Sequence, residues 1–325
     1  MNRVQSLNVL LIIIVAVFLP YCGGGAPSQS TLPNVTLVTL SDGEQAIEEG
    51  RFDEAADIFS QLIAQTPNDP VLHYYLGLSK DNMGDADGAI AAYQKALSLN
   101  QSLTNARLNL GLVYFHQGNL TAAITEFETV EAAEPAASDV QYNLGMALAA
   151  AGKTDDARVH YEKSASLDPE DPDPLIALGN MEKDAGNNDE AMALFEKAET
   201  LGTGSAVAVL SGAQLLIAQN KQPAAAKKLM TLIEMDADAE TLASAGLMLS
   251  KMGKADDAIA IYRHALDVSP ESSKAALLLG NALARKGDFA EAATWFQKII
   301  DLSPDAPEAG AAQKGLAACK ARLGQ

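Results

Sequence analysis

The chain has 325 residues, a formal net charge of −19, and 48% hydrophobic but only 5% aromatic residues. A surface this acidic repels phosphate backbones, which excludes nucleic acid as the expected partner. Two cysteines, Cys22 and Cys319, are too few for a disulfide framework and stand in unlike settings.

Arg3 precedes an apolar run from Val9 to Leu19. The run is shorter than the roughly 20 apolar residues a membrane-spanning helix needs, and it fits the apolar core of an export signal. Pro20, Tyr21, Cys22 and three glycines follow, then a Gly-, Pro- and Ser-rich stretch to Val35 that reads as a flexible tether. This N-terminus resembles a bacterial lipoprotein signal, in which a cysteine becomes the first mature residue and carries lipid. Leu19 matches the apolar position three before the cysteine, whereas Tyr21 stands where Gly, Ala or Ser is usual. The resemblance implies a signal peptide over 1–21, lipidation of Cys22 with a palmitate-type acyl chain, and a lipid-anchored linker over 22–35. It also implies repeats held in the periplasm or at the cell surface. An ordinary cleaved signal and an uncleaved anchor are the alternatives, and both also place the repeats outside the cytoplasm.

Beyond the tether, eight alanines recur at one spacing: Ala55, Ala89, Ala123, Ala157, Ala191, Ala225, Ala258 and Ala292. Each step is 34 residues except the one of 33 from Ala225 to Ala258. Two further series keep step, Gly43 to Gly280 and Gly50 to Gly287, broken only by Ala213 and Asn220. A fixed period of this length marks a stack of identical supersecondary units. In the unit 104–137 a helix over about Asn105 to Gln117 ends at Gly118, which suits a left-handed cap. Asn119 then caps a second helix carrying Ala122, Ala123, Ile124, Phe127 and Val130 at helical spacing, and Pro135 blocks its extension. Gly111 and Ala123 are small where the two helices cross, so the backbones are expected to approach there. Phe127 and its equivalents Phe59, Tyr93, Tyr161, Phe195, Tyr262 and Phe296 fill the space between hairpins.

These leucine, glycine, aromatic, alanine and proline positions resemble the tetratricopeptide pattern over about Thr36 to Ala306. The resemblance implies an all-α fold, a right-handed superhelical solenoid of eight repeats (36–69, 70–103, 104–137, 138–171, 172–205, 206–238, 239–272 and 273–306) closed by a capping helix over 307–325. The sixth unit departs from the rest: Ala213 and Asn220 replace glycines, Leu229 replaces the aromatic, and Ala237 falls where proline is usual. Gly202, Thr203 and Gly204 precede it as a loose junction. Drift in a tolerant array and a hinge are both consistent with these changes.

No catalytic constellation is present in the sequence. His73, His116, His160 and His264 fall at different places in their repeats, without a metal-ligand spacing. Paired acids such as Asp155 and Asp156 start second helices, where they suit the helix N-terminus. The reading is therefore no enzyme, no metal and no small-molecule cofactor. In tetratricopeptide arrays the first helix of each repeat lines a concave groove. By register that groove holds Tyr74, Tyr75 and Leu78, then Leu108, Asn109, Leu112, Phe115 and His116, then Tyr142, Asn143 and Met146. Rings and amides suit an extended peptide, whose apolar surface and backbone they match. Asn109 and Asn143 match the asparagines of the family's clamp for C-terminal carboxylates, but no lysine or arginine of repeats two to four stands at a clamp position, which disfavours that ligand. Lys251, Lys274 and Arg285 make the C-terminal end of the groove more basic. The resemblance implies a scaffold or adaptor of envelope, pilus or secretion complexes, whose partners are other proteins. A carrier of an apolar or glycan ligand, or a regulatory subunit of an envelope enzyme complex, is the alternative.

Overall fold

The computed structural model describes residues 38–201 and 205–324. The expected export signal, Cys22, the linker 22–35 and the Gly202–Gly204 junction lie outside the described residues. From Thr39 onward the chain forms one compact unit. Among the described residues there are seventeen α-helices and no strand. In chain order they are α1 (Leu40–Glu48), α2 (Phe52–Gln65), α3 (Pro70–Asn82), α4 (Ala86–Leu99), α5 (Thr104–His116), α6 (Leu120–Ala133), α7 (Ser138–Ala150), α8 (Thr154–Leu167) and α9 (Asp173–Asp184). There follow α10 (Asn188–Glu199), α11 (Ser205–Ala218), α12 (Gln222–Met230), α13 (Ala239–Lys251), α14 (Ala255–Val268), α15 (Ser273–Lys286), α16 (Phe289–Leu302) and α17 (Ala309–Leu323). Odd-numbered helices are the first (A) and even-numbered the second (B) of each hairpin. Each A helix packs on its own B helix and on the B helix before it, and successive A helices such as α3, α5 and α7 also touch. The A helices therefore make the inner layer of an all-α solenoid and the B helices the outer one.

Local chemistry explains each hairpin, and repeat three shows how. Helix α5 ends at His116 with Gln117 as its C-cap, and Gly118 takes φ +74°, a backbone conformation that side chains disfavour. The Gly118 N–H donates to the Phe115 carbonyl and the Asn119 N–H to the Tyr114 carbonyl, which satisfies the last turn. The Asn119 side chain then accepts from the Ala122 N–H and opens α6.

The glycine at the helix crossing has a different role from the one expected. It seats a ring rather than a neighbouring backbone. A Cβ added at Gly111 would stand 2.5 Å from Cε1 of Phe127, and the same collision recurs at Gly43 with Phe59, Gly77 with Tyr93, Gly145 with Tyr161, Gly179 with Phe195, Gly246 with Tyr262 and Gly280 with Phe296. Phe127 is wholly buried and shares one core with Leu144 and Ala147 of the next repeat, so the ring joins both the hairpin and the stack. Burial of such a side chain stabilises by about 1.5–3 kcal/mol.

At the C-terminal end α17 repeats the device, because Gly315 lies against the opposite edge of the Phe296 ring. Cys319 is buried beneath it, and burial pushes its thiol pKa up. The outer face of α17 carries Lys320 and Arg322 as expected but is not wholly polar: Ala311, Ala318 and Leu323 are exposed beside them.

Repeat six keeps the hairpin but shortens it. Helix α12 has 9 residues and gives way to a 3-10 turn over Thr231–Glu234, whereas α4, α6, α8, α14 and α16 have 14 each. Asn220 holds φ +62°, the one positive φ outside glycine among the described residues, so asparagine performs the turn that glycine performs elsewhere. Ala213 and Leu229 are both wholly buried in one core. Ala237 is buried at the position usual for proline. An outer cleft of about 400 Å³ lies between α10 and α12, crossed by an ion pair of 2.5 Å between Lys228 and Glu199.

Candidate functional site

The inner layer presents one face of each A helix, and side chains spaced by one or two helical turns share that face. On α3, Tyr74, Leu78 and Asp81 form such a stripe. Of the eleven side chains assigned to the groove by register, ten are half-buried and His116 is exposed at the end of α5. Leu108, Leu112, Phe115, Tyr142 and Met146 pack against the core shared by repeats three and four. They therefore also hold the repeats together.

Tyr75 is the most committed of the eleven. Its ring stacks on Phe59 at 5.2 Å between centroids and 9° between planes. Its hydroxyl donates to Glu44 at 2.6 Å, and burial together with that carboxylate pushes its pKa up to about 12. It joins repeats one and two. Tyr74 leans on Tyr75 and Tyr93, with centroids 5.2 and 6.2 Å away. The Asn109 amide faces the Tyr74 and Tyr93 hydroxyls and offsets part of the upward push that burial exerts on both. No hydrogen bond to the Tyr93 hydroxyl is closed. Phe115 and His116 meet edge-on at 5.6 Å. Tyr142 lies 5.7 Å from Tyr161, and burial, with the charges of Asp173 and Asp171, raises its pKa to about 12. Asn143 stands apart: it is half-buried on α7, and its amide makes no hydrogen bond to a described residue.

Register reasoning missed the acidic groups on this face, Asp81 above all, because it searched for rings and amides. The signal was available, since Asp81 follows Tyr74 by seven residues on the same helix. Towards the C-terminal end, Lys274 pairs with Glu240 at 2.6 Å and the Arg285 guanidinium reaches the Ser250 hydroxyl at 3.4 Å. Both members of the Lys274 pair are largely exposed, so the pair is worth little.

Sequence models of tetratricopeptide repeats match residues 82–118, 104–136, 121–172, 148–198 and 244–307. Together with the glycine–ring contacts that recur at one period, these matches decide the family. The chain belongs to the tetratricopeptide repeat family. No curated protein matched the sequence. Among solved structures, yeast Tom70 is similar over 84% of this chain at 22% identity with a TM-score of 0.64, and this chain spans 59% of that one. A tetratricopeptide repeat protein from Parabacteroides merdae is similar over 75% of this chain and 97% of its own, at 16% identity and a TM-score of 0.58. A third, MamA, covers 50% of this chain and 94% of its own, at 26% identity and a TM-score of 0.47. At these identities the likeness concerns the fold.

Tetratricopeptide repeats of this kind bind other proteins, and the family is generally non-enzymatic. Among the described residues no group of three or more His, Cys, Asp or Glu side chains could hold a metal ion. No helix of the described residues is long and apolar enough to cross a membrane.

Proposed function

We propose that this tetratricopeptide protein is a non-enzymatic scaffold or adaptor that holds an extended segment of a partner protein along the concave face of α3, α5 and α7. The observation that carries this reading is Asn143. Its amide is half-buried on the inner layer and makes no hydrogen bond to a described residue, and an amide offers both a donor and an acceptor to a peptide backbone. Tyr142 and Met146, half-buried beside it, supply apolar surface of the kind that anchors binding hot spots. The apolar run before Cys22 and the Gly- and Ser-rich stretch after it support an exported protein, tethered by lipid at Cys22. Its partners are then components of an envelope complex.

Two substitutions test the two halves of the proposal. Asn143→Ala should weaken capture of the cellular partner by about 1–2 kcal/mol while leaving the thermal melt in place, whereas Glu162→Ala on the outer layer should do neither. Capture that survives Asn143→Ala and falls with Glu162→Ala would place the binding surface on the convex side. Cys22→Ala should move the protein from the membrane fraction to the soluble one or stall its processing. Unchanged membrane association with normal maturation would defeat the lipid anchor.

A further inference from the structure

At the C-terminal end of the stack a cleft of about 300 Å³ opens between α15 and α17. Asn281 and Arg285 line it from α15, in the register that Leu112 and His116 hold in repeat three, so it continues the inner layer. Ala318 and Arg322 line it from the exposed face of α17. Ala284 of α15 with Phe289 and Phe296 of α16 gives it an apolar floor.

The charges of this cleft differ from those elsewhere in the chain. Arg51, Arg107, Arg158 and Arg263 each pair with a glutamate. Arg285 and Arg322 are the other two arginines of the described residues, and neither forms an ion pair with a described residue. The Arg285 guanidinium donates only to the Ser250 hydroxyl, at 3.4 Å. No acidic side chain lines the cleft, and neither α15 nor α17 contains one. In a chain with 42 acidic residues against 23 basic ones, the two guanidiniums left without a carboxylate stand at one cleft. A guanidinium is a flat fork of N–H donors whose geometry matches a carboxylate, and the Asn281 amide adds a further donor. A cation would be repelled here, and a bare inorganic anion would leave the apolar floor uncovered.

We propose that Asn281, Arg285 and Arg322 form a subsite for an acidic side chain of the partner segment, with an apolar side chain two residues away lying on Ala284 and Phe289. The spacing follows because alternate residues of an extended chain share one face. This rests on the groove reading above, extends it to the end of the stack and names the chemistry the partner must bring. A segment held along its length by the inner layer presents side chains to the cleft, so the carboxylate is that of a side chain and not of a chain end.

The test uses the full chain and three pentapeptides: Ala-Glu-Ala-Leu-Ala blocked at both ends, its blocked glutamine counterpart, and the glutamine peptide with a free C-terminal carboxylate. Binding is followed by NMR of alanine and methionine methyl groups, where Ala284 and Ala318 report the cleft and Met146 reports the groove of repeat four. The glutamate peptide should shift Ala284 and Ala318 saturably and bind about fivefold tighter than the blocked glutamine peptide, the margin expected of two exposed ion pairs. That margin should narrow as salt is raised, and the free terminus should add nothing. Arg285→Gln together with Arg322→Gln should bring the glutamate and glutamine peptides level, whereas Lys95→Gln on the outer layer should leave the preference unchanged. Equal binding of these two peptides, or a glutamate preference that persists in the double variant, would overturn the subsite. A free terminus that binds as tightly as the glutamate would overturn it too, because the cleft would then read a chain end. Should the peptides shift Met146 and leave Ala284 and Ala318 unmoved, the groove binds and the acidic subsite is wrong. Should no methyl group move, the subsite is again wrong, and the groove itself is judged by partner capture with Asn143→Ala.

Discussion

Repeats three and six build the same hairpin around different central contacts. In repeat three Gly111 seats the Phe127 ring so closely that no Cβ fits. In repeat six the equivalent positions are Ala213 and Leu229, both wholly buried in one core. A methyl is gained on one helix and a ring is lost from the other, which keeps the volume across the crossing nearly constant, and volume-conserving exchanges are the ones that packed cores tolerate. Taken singly, the two departures suggest drift. Taken as a pair they are one compensated change. The shortened α12 is a second difference of the same repeat, since the 33-residue spacing is accommodated by a helix that closes early in a 3-10 turn.

The comparison can be broken at four places. The largest effect belongs to the ring: Phe127→Ala should lower stability by about 3–5 kcal/mol in urea unfolding, because the cavity opens both the hairpin and the stack. Next, Gly111→Ala should cost about 1–3 kcal/mol by overpacking. Adding Phe127→Leu, which installs the repeat-six pair in repeat three, should leave the double variant more stable than the two single losses summed. Strict additivity would show that glycine and ring act independently. At the turn, Asn220→Ala should cost about 1 kcal/mol because alanine disfavours the left-handed conformation more than asparagine does, while Asn220→Gly should be neutral or slightly stabilising. An equal loss for both would mean that the Asn220 side chain, and not its backbone, matters. The smallest effect is expected at the ion pair across the outer cleft, where Glu199→Gln should cost about 0.5–1 kcal/mol, and less as salt is raised.

The fold was legible because three residue series hold one period, and because caps such as Gly118 and Asn119 are local chemistry that needs no tertiary information. The helices of repeat three fall within one residue of the boundaries expected from the sequence at their starts and ends. What occupies a small residue's empty side was not legible. Gly111 and Phe127 are sixteen residues apart, and the ring's rotamer decides whether backbone or ring fills the space. The groove was legible as a face and less so as a site. Register places Tyr75 on the inner layer but does not reveal that Phe59, one repeat earlier, stacks on it. Such cross-repeat meetings depend on how one hairpin is rotated on the next, which no single unit encodes.

The central claim is that partners bind the inner layer. A photoreactive amino acid placed at Asn143, and in a separate protein at Glu162, tests it most directly in cells. Crosslinks to a partner protein from position 143 and none from 162 are the predicted result. Crosslinks from 162 with none from 143 would contradict the account, because the partner would then lie on the B helices.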